Sequence, residues 1–308
     1  MSRSCFFDAF SEEVMLIRNF YMLFVAAYLI SFYAYADRRI MPEYPTISYV
    51  NFQSLDSENP HTLSAQLRVP MVAAEEKIPA VVIVHGSAGV DSRGSFYAKA
   101  LNDAGIATLE IDMWAARGWL AGIHGRPRGV PETLPDAYGA LQFLSELPSI
   151  DSKRIGIMGF SWGGVVTMLT ATVPYTSKYM KDNLSFSAHV AQYPVCWAYN
   201  RVPGYEFSEF TGAPVLIQAA ELDDYDKPDT CQNLVDLLSE QSQEFISVRV
   251  YSDVFHAWDR LQPTLTIFDP YSHLGAGGDV KIVPNPEQAF QSRKNVSCFF
   301  KKAFGVTD

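Results

Sequence analysis

The chain has 308 residues, 48% of them hydrophobic and 19% charged, and a formal net charge of -10. Length and apolar content fit one large globular unit and exclude a disordered or fibrous chain. The acidic balance excludes a nucleic-acid partner, because no basic stripe is available to neutralise phosphates.

Phe20 to Ala36 ("FYMLFVAAYLISFYAYA") is an uncharged apolar run of 17 residues ending in Ala34-Tyr35-Ala36. Its length falls short of the roughly 20 residues a spanning helix needs, and small residues at the two alanine positions suit signal peptidase. Residues 1–36 therefore read as a removed signal peptide, which implies a periplasmic or secreted protein with no stable membrane span after cleavage. An uncleaved N-terminal membrane anchor is the alternative. The acidic residues Asp8, Glu12 and Glu13 are unusual before such a run, and translation from Met15 ("MLIRNF") would give an ordinary short basic start. Residues 37–308 are then expected to form one α/β domain.

One or two strands are expected within 37–78, among them "TLSAQLRVP". From residue 79 the pattern alternates. "PAVVIVHG" (79–86) has the β-branched apolar character of a strand buried on both faces. "FYAKALNDAG" (96–105) reads as a helix closed by glycine. A strand follows at 106–112, a helix at 131–147, a strand at 154–160 and a helix at 162–173. Strands are expected at 187–194, 213–220 and 245–252, and helices at 228–241 and 287–305. Alternating β and α elements predict an α/β fold, with a mainly parallel central sheet and helices on both faces.

In such a sheet ligands bind beyond the carboxyl ends of the strands. Gly159-Phe160-Ser161-Trp162-Gly163 fits G-x-S-x-G at that end of the strand 154–160. The pattern lifts a serine hydroxyl onto a sharp strand-to-helix turn. At ordinary glycine and serine frequencies (~7% each) the bare pattern arises by chance about 0.1 times in such a chain, so its weight comes from the flanking strand and helix.

A serine nucleophile needs a base, and this architecture orders the three groups Ser, acid, His. After the strand 213–220 only His256 and His273 remain. His256 lies just past the strand 245–252, at the edge that carries Ser161. His273 sits in the Gly-rich "HLGAGGD". His256 is the candidate base. The acid falls in "ELDDYDKPD", as Asp223 or, failing that, Asp224, and would hold one histidine tautomer. The oxyanion hole would use the backbone N–H of Trp162 and one from "HGSAG", that of Gly86 or Ser87. The histidines lack metal-ligand spacing, so neither metal nor other cofactor is expected.

"VIVHGSAGV", "LEIDMWAARG", "RIGIMGFSWGG", "ELDDYDKP" and "VYSDVFHAWDR" together resemble the dienelactone hydrolase branch of the α/β-hydrolases, over about residues 60–305. The resemblance implies an α/β-hydrolase fold and a triad of Ser161, Asp223 and His256. It further implies Arg117 and Arg260 as a pair gripping a substrate carboxylate, and guanidinium groups suit that task. Pairing of both arginines with local carboxylates such as Asp112 and Asp259 is the plainer alternative. Two positions depart from the best-known members: serine replaces a cysteine nucleophile, and Gly86 stands where they have a glutamate controlling the thiol. The departures agree with each other and put dienelactone itself in doubt as substrate.

Cys196 and Cys231 each follow a late strand. They are expected either to bond, pinning the acid-bearing loop, or to leave Cys231 free and buried. Segments 114–130 and 195–211, with Trp114, Trp119, Trp197, Tyr199 and Tyr205, are expected to shape an aromatic pocket or simply to pack. The expected function is hydrolysis of a small ester or lactone, with or without a free carboxylate, through an acyl-enzyme. A peptidase or acyltransferase on the same triad is the alternative, and a non-catalytic ligand-binding homologue a more remote one.

Overall fold

The computed structural model describes residues 44–71, 77–118, 126–181 and 183–307. The leader-like run, Met15 and Trp119 lie outside them. Residues from Pro45 onward group as one unit.

Eight strands form the main sheet: β1 (Thr46–Gln53), β2 (Thr62–Val69), β3 (Ile78–Val84), β4 (Ala107–Asp112), β5 (Ile150–Phe160), β6 (His189–Gln192), β7 (Val215–Ala220) and β8 (Ile246–Tyr251). Their spatial order is β1-β2-β4-β3-β5-β6-β7-β8. β2 runs antiparallel to β1 and β4, and the remaining pairs are parallel. The reversal of order around β3 leaves a crevice beyond the strands' carboxyl ends, where ligands bind in open α/β sheets.

Pleating explains why β3 is apolar throughout. Ala80, Val82 and Val84 face one core, and Val81 and Ile83 the other, all at 0% exposure. Each such valine or isoleucine contributes about 2 kcal/mol on burial. Helix α1 (Ser92–Asp103) starts at Asp91, whose carboxylate accepts from the Arg93 N–H, an N-cap bond that satisfies an orphan donor. Helix α2 (Leu134–Glu146) covers the other face together with α3 (Trp162–Thr170). A short helix, α4 (Val173–Tyr179), follows. Helix α5 (Thr230–Asp236) stops earlier than the sequence pattern predicts, and Glu240–Gln243 forms a separate turn capped by Ser239. The closing helix α6 (Pro286–Phe304) is capped by Asn285 and ended by Gly305 at φ 66°. It packs on the α1 side through Ala289, Val296, Phe300 and Phe304.

One element escaped the sequence reading. Leu265–Asp269 and Gly278–Ile282 form an antiparallel hairpin, β9 and β10, outside the main sheet. The Gly-rich loop that carries His273 joins these two strands. The hairpin delivers Asp269 and Tyr271 to the crevice. Among the described residues no helix is long and apolar enough to cross a membrane.

Candidate active site

β5 turns into α3 at Ser161, which has φ 52° and ψ -110°, a conformation strained for a non-glycine residue. Its N–H donates to the Gln192 carbonyl at 2.9 Å, and its own carbonyl accepts from Val165 at 2.9 Å. The flanking glycines are required by contact. A Cβ on Gly159 would lie 2.1 Å from the Gly163 oxygen, and one on Gly163 only 2.2 Å from the Val84 oxygen. The strand, the helix and the loop after β3 thus touch through bare backbone. Trp162 is the first residue of α3, so its N–H has no intrahelical acceptor.

The loop that carries Asp223 and Asp224 follows β7. The Asp223 Oδ2 lies 2.8 Å from the His256 Nδ1, with side-chain exposures of 6% and 5%. The other Asp223 oxygen accepts from the Tyr225 N–H at 2.9 Å. Asp224 turns the opposite way and accepts from the Lys281 N–H at 2.8 Å on β10. His273 is remote in role: its N–H donates to the Asp224 carbonyl, and its Nε2 meets the Asp279 carbonyl. The His256 ring is held between two tyrosines, with ring centres 4.7 Å from Tyr193 and 4.4 Å from Tyr225. Tyr225 also lines a cavity of about 450 Å³ that contains Ser161, Trp162 and Ser87.

A buried network fixes Tyr193. Its hydroxyl donates to Asp259 at 2.6 Å and accepts from Arg93 at 3.1 Å. Arg93 is paired with Asp91 at 2.7 Å. Burial pushes the Asp259 carboxyl above its usual range, against the pull of Arg93.

The two arginines named from the resemblance lie elsewhere. Arg117 donates to the fully buried Asp136 at 2.6 and 3.2 Å and to the Met113 carbonyl at 2.7 Å. Arg260 lies 3.5 Å from Asp91. Neither is among the residues that line the cavity, and their carboxylate partners are Asp136 and Asp91 rather than Asp112 and Asp259. Among the described residues, the cations that line the cavity are Arg126 and Arg128. Arg126 sits over the Tyr271 ring at 4.8 Å and bonds Asp269 at 3.3 and 3.4 Å. The only sequence signal for them was two arginines in the turn-rich "HGRPRG", inside the expected specificity segment.

Of the aromatic residues in those segments, Trp197 and Tyr205 line the cavity, whereas Trp114 and Tyr199 are core residues at 2% exposure each. Cys196 and Cys231 are joined by a disulfide. The bond ties the Trp197 wall to α5, just after the acid loop. Asp226 completes the link by accepting from the Trp197 N–H at 3.0 Å. Among the described residues Cys196, Cys231 and Asp226 are the one cluster with metal-ligand proximity, and its two sulfurs are bonded to each other.

A mostly parallel eight-stranded sheet with a strained serine at a strand-to-helix turn defines an α/β-hydrolase. Residues 65–304 match the dienelactone hydrolase family, and the chain belongs to that family. It is similar to the uncharacterized protein PA2218 of Pseudomonas aeruginosa, at 31% identity over 109 residues. That match takes in 34% of this chain and spans only 28% of the relative's length. Among solved structures, Thermogutta terrifontis esterase 2 phosphoramylated by tabun superposes with a TM-score of 0.60 at 14% identity, covering 87% of this chain and 98% of that one. A dienelactone hydrolase-like promiscuous phosphotriesterase from metagenomic libraries gives 0.58 at 16% identity, covering 85% and 100%. An α/β hydrolase from a Medee basin deep-sea metagenome library gives 0.57 at 17%, covering 86% and 100%. Likeness at these identities concerns the fold.

Proposed function

We propose that the protein is a serine hydrolase of small esters or lactones, working through Ser161, His256 and Asp223. His256 Nε2 takes the hydroxyl proton as Ser161 Oγ attacks the carbonyl carbon. Asp223, on Nδ1, fixes the tautomer and stabilises the imidazolium. The oxyanion is held by the Trp162 N–H and one N–H from the loop after β3. His256 returns the proton to the leaving oxygen; water, deprotonated by His256, then attacks the acyl carbon, and the same proton passes to Ser161 Oγ as the acid departs. The observation that carries this reading is the buried 2.8 Å Asp223–His256 pair, whose imidazole lies 4.4 Å, ring centre to ring centre, from a tyrosine that lines the same cavity as Ser161.

The aromatic walls suit a flat or apolar acyl or alcohol group. Arg126 and Arg128 are the groups a substrate carboxylate would meet. The disulfide supports export to an oxidising compartment, in keeping with residues 1–36 as a signal peptide. An N-terminal sequence of Asp37 on the exported protein is the expected result.

The test is labelling with a serine-directed fluorophosphonate, followed by a screen of esters, lactones and amides. Wild type should take the label and hydrolyse esters or lactones, and Ser161→Ala should do neither. An unlabelled wild type without turnover would make the protein a ligand binder, and a preference for amides would make it a peptidase.

A further inference from the structure

The loop after β3 offers two N–H groups for the oxyanion, those of Gly86 and Ser87, and a buried histidine beside them has no part in the steps above. His85 is 3% exposed, and both its ring nitrogens are engaged. Nε2 lies 3.0 Å from the Met113 N–H. A backbone N–H can only donate, so Nε2 is the acceptor and carries no proton. The proton therefore sits on Nδ1, which donates to the Gly86 carbonyl at 2.8 Å. The same carbonyl accepts the Gly89 N–H at 3.0 Å. Two donors from two directions fix the orientation of that oxygen.

The Gly86–Ser87 peptide is planar and trans, so its N–H points opposite to its carbonyl. The carbonyl is turned to His85, and the Ser87 N–H is turned away from it. Ser87 lines the cavity with Ser161 and Trp162. The loop also lies directly on the serine turn. A Cβ on Gly86 would sit 3.2 Å from the Phe160 oxygen, and one on Gly163 only 2.7 Å from the His85 oxygen.

We infer that His85 is a positioning residue which locks the Gly86–Ser87 peptide so that the Ser87 N–H, and not that of Gly86, is the second oxyanion donor beside Trp162. Met113 anchors the far side of the imidazole, and the Trp114 ring lies 5.0 Å from it. The ring thus ties the loop after β3 to the loop after β4. Asp112, 3.9 Å from Nε2, Arg93 and Asp91 are the charged groups that act on it. Desolvation holds the imidazole neutral, with a pKa lowered to about 4, so the arrangement persists at neutral pH.

The inference rests on the proposed serine chemistry, and the test keeps the two apart. Steady-state kinetics are measured for wild type, His85→Leu, His85→Gln, Ser87→Pro and the double variant His85→Leu/Ser87→Pro. Binding of a trifluoromethyl ketone, which forms a tetrahedral adduct, is measured alongside. His85→Leu should lower kcat about 10²-fold with KM nearly unchanged, the loss typical of one misplaced oxyanion donor. Ketone affinity should fall in parallel. Glutamine keeps a donor and an acceptor and should restore part of the loss. Ser87→Pro deletes the N–H without touching the core, which keeps the test open if His85→Leu does not fold. The double variant should lose no more than Ser87→Pro alone, because both changes act through one group. Full kcat in folded His85→Leu or in Ser87→Pro, or additive losses, would overturn the inference while leaving the function intact. A wild type that takes no fluorophosphonate would overturn both.

Discussion

The Asp223 carboxylate and the His256 imidazole meet at 2.8 Å with both side chains almost wholly buried, whereas the adjacent Asp224 faces away and binds the Lys281 N–H. Neighbouring residues in a turn project in different directions, so one of two adjacent aspartates can serve the histidine. Asp223→Asn should lower kcat by about 10³- to 10⁴-fold, because the amide favours the wrong tautomer. Asp224→Asn should stay within a few-fold of wild type. Single-turnover ester hydrolysis compares the two, and a larger loss in Asp224→Asn would reverse the assignment.

Arg117 and Arg260 should affect stability more than specificity. Asp136 is fully buried, and Arg117 supplies two bonds to its carboxylate, with a further one from Ser54. Arg117→Ala should cost about 3–5 kcal/mol in urea denaturation, since it strands a buried charge. Arg260→Ala should cost about 1 kcal/mol or less, because Asp91 keeps Arg93. The rate ratio between carboxylate-bearing and neutral esters should move in Arg128→Ala and not in Arg260→Ala.

Glu110 gives a pH signature. Burial raises its pKa to about 7, and Arg68, 3.9 Å away, only partly offsets this. Between its unfolded value near 4.5 and the folded value near 7, the native state binds more protons than the unfolded chain. This group's contribution therefore falls as pH rises through that window and is constant above it. Two buried histidines, His85 and His189, have pKa values lowered to about 4. They bind fewer protons in the native state, and their contribution rises with pH between about 4 and 6.5. The difference between wild type and Glu110→Gln isolates the carboxyl. Glu110→Gln should be more stable by about 3 kcal/mol at pH 8 and nearly equal at pH 4. Melting curves across that range would reveal a flat difference if the carboxyl titrates normally.

The Cys196–Cys231 bond closes a 35-residue loop that includes Asp223. Replacing both cysteines by serine should cost about 2–4 kcal/mol, largely by freeing the unfolded chain. A reducing agent should lower the wild-type midpoint toward that of the variant and leave the variant unmoved. Equal midpoints with and without reductant would mean that the bond does not form in solution.

The serine turn was legible in the sequence because its physics is local. A β-branched strand, a residue forced to positive φ and glycines where backbones touch all fall within a dozen consecutive positions. The parallel sheet was legible for a similar reason, since burial on both faces writes continuous apolar runs. Partner choice was not. Arg117 finds Asp136 nineteen residues away and Arg260 finds Asp91 across the fold, and charge patterning carries no information about such pairs. The β9–β10 hairpin was hidden by its Gly-rich loop. The roles of His85 and Tyr225 depend on which backbone or ring lies opposite. Sequence alone determined the elements and the serine's strained turn, because sterics and periodicity act between near neighbours. Only the tertiary structure decided which aspartate meets His256 and which cations face the cavity, because those outcomes depend on side-chain direction across elements far apart in the chain.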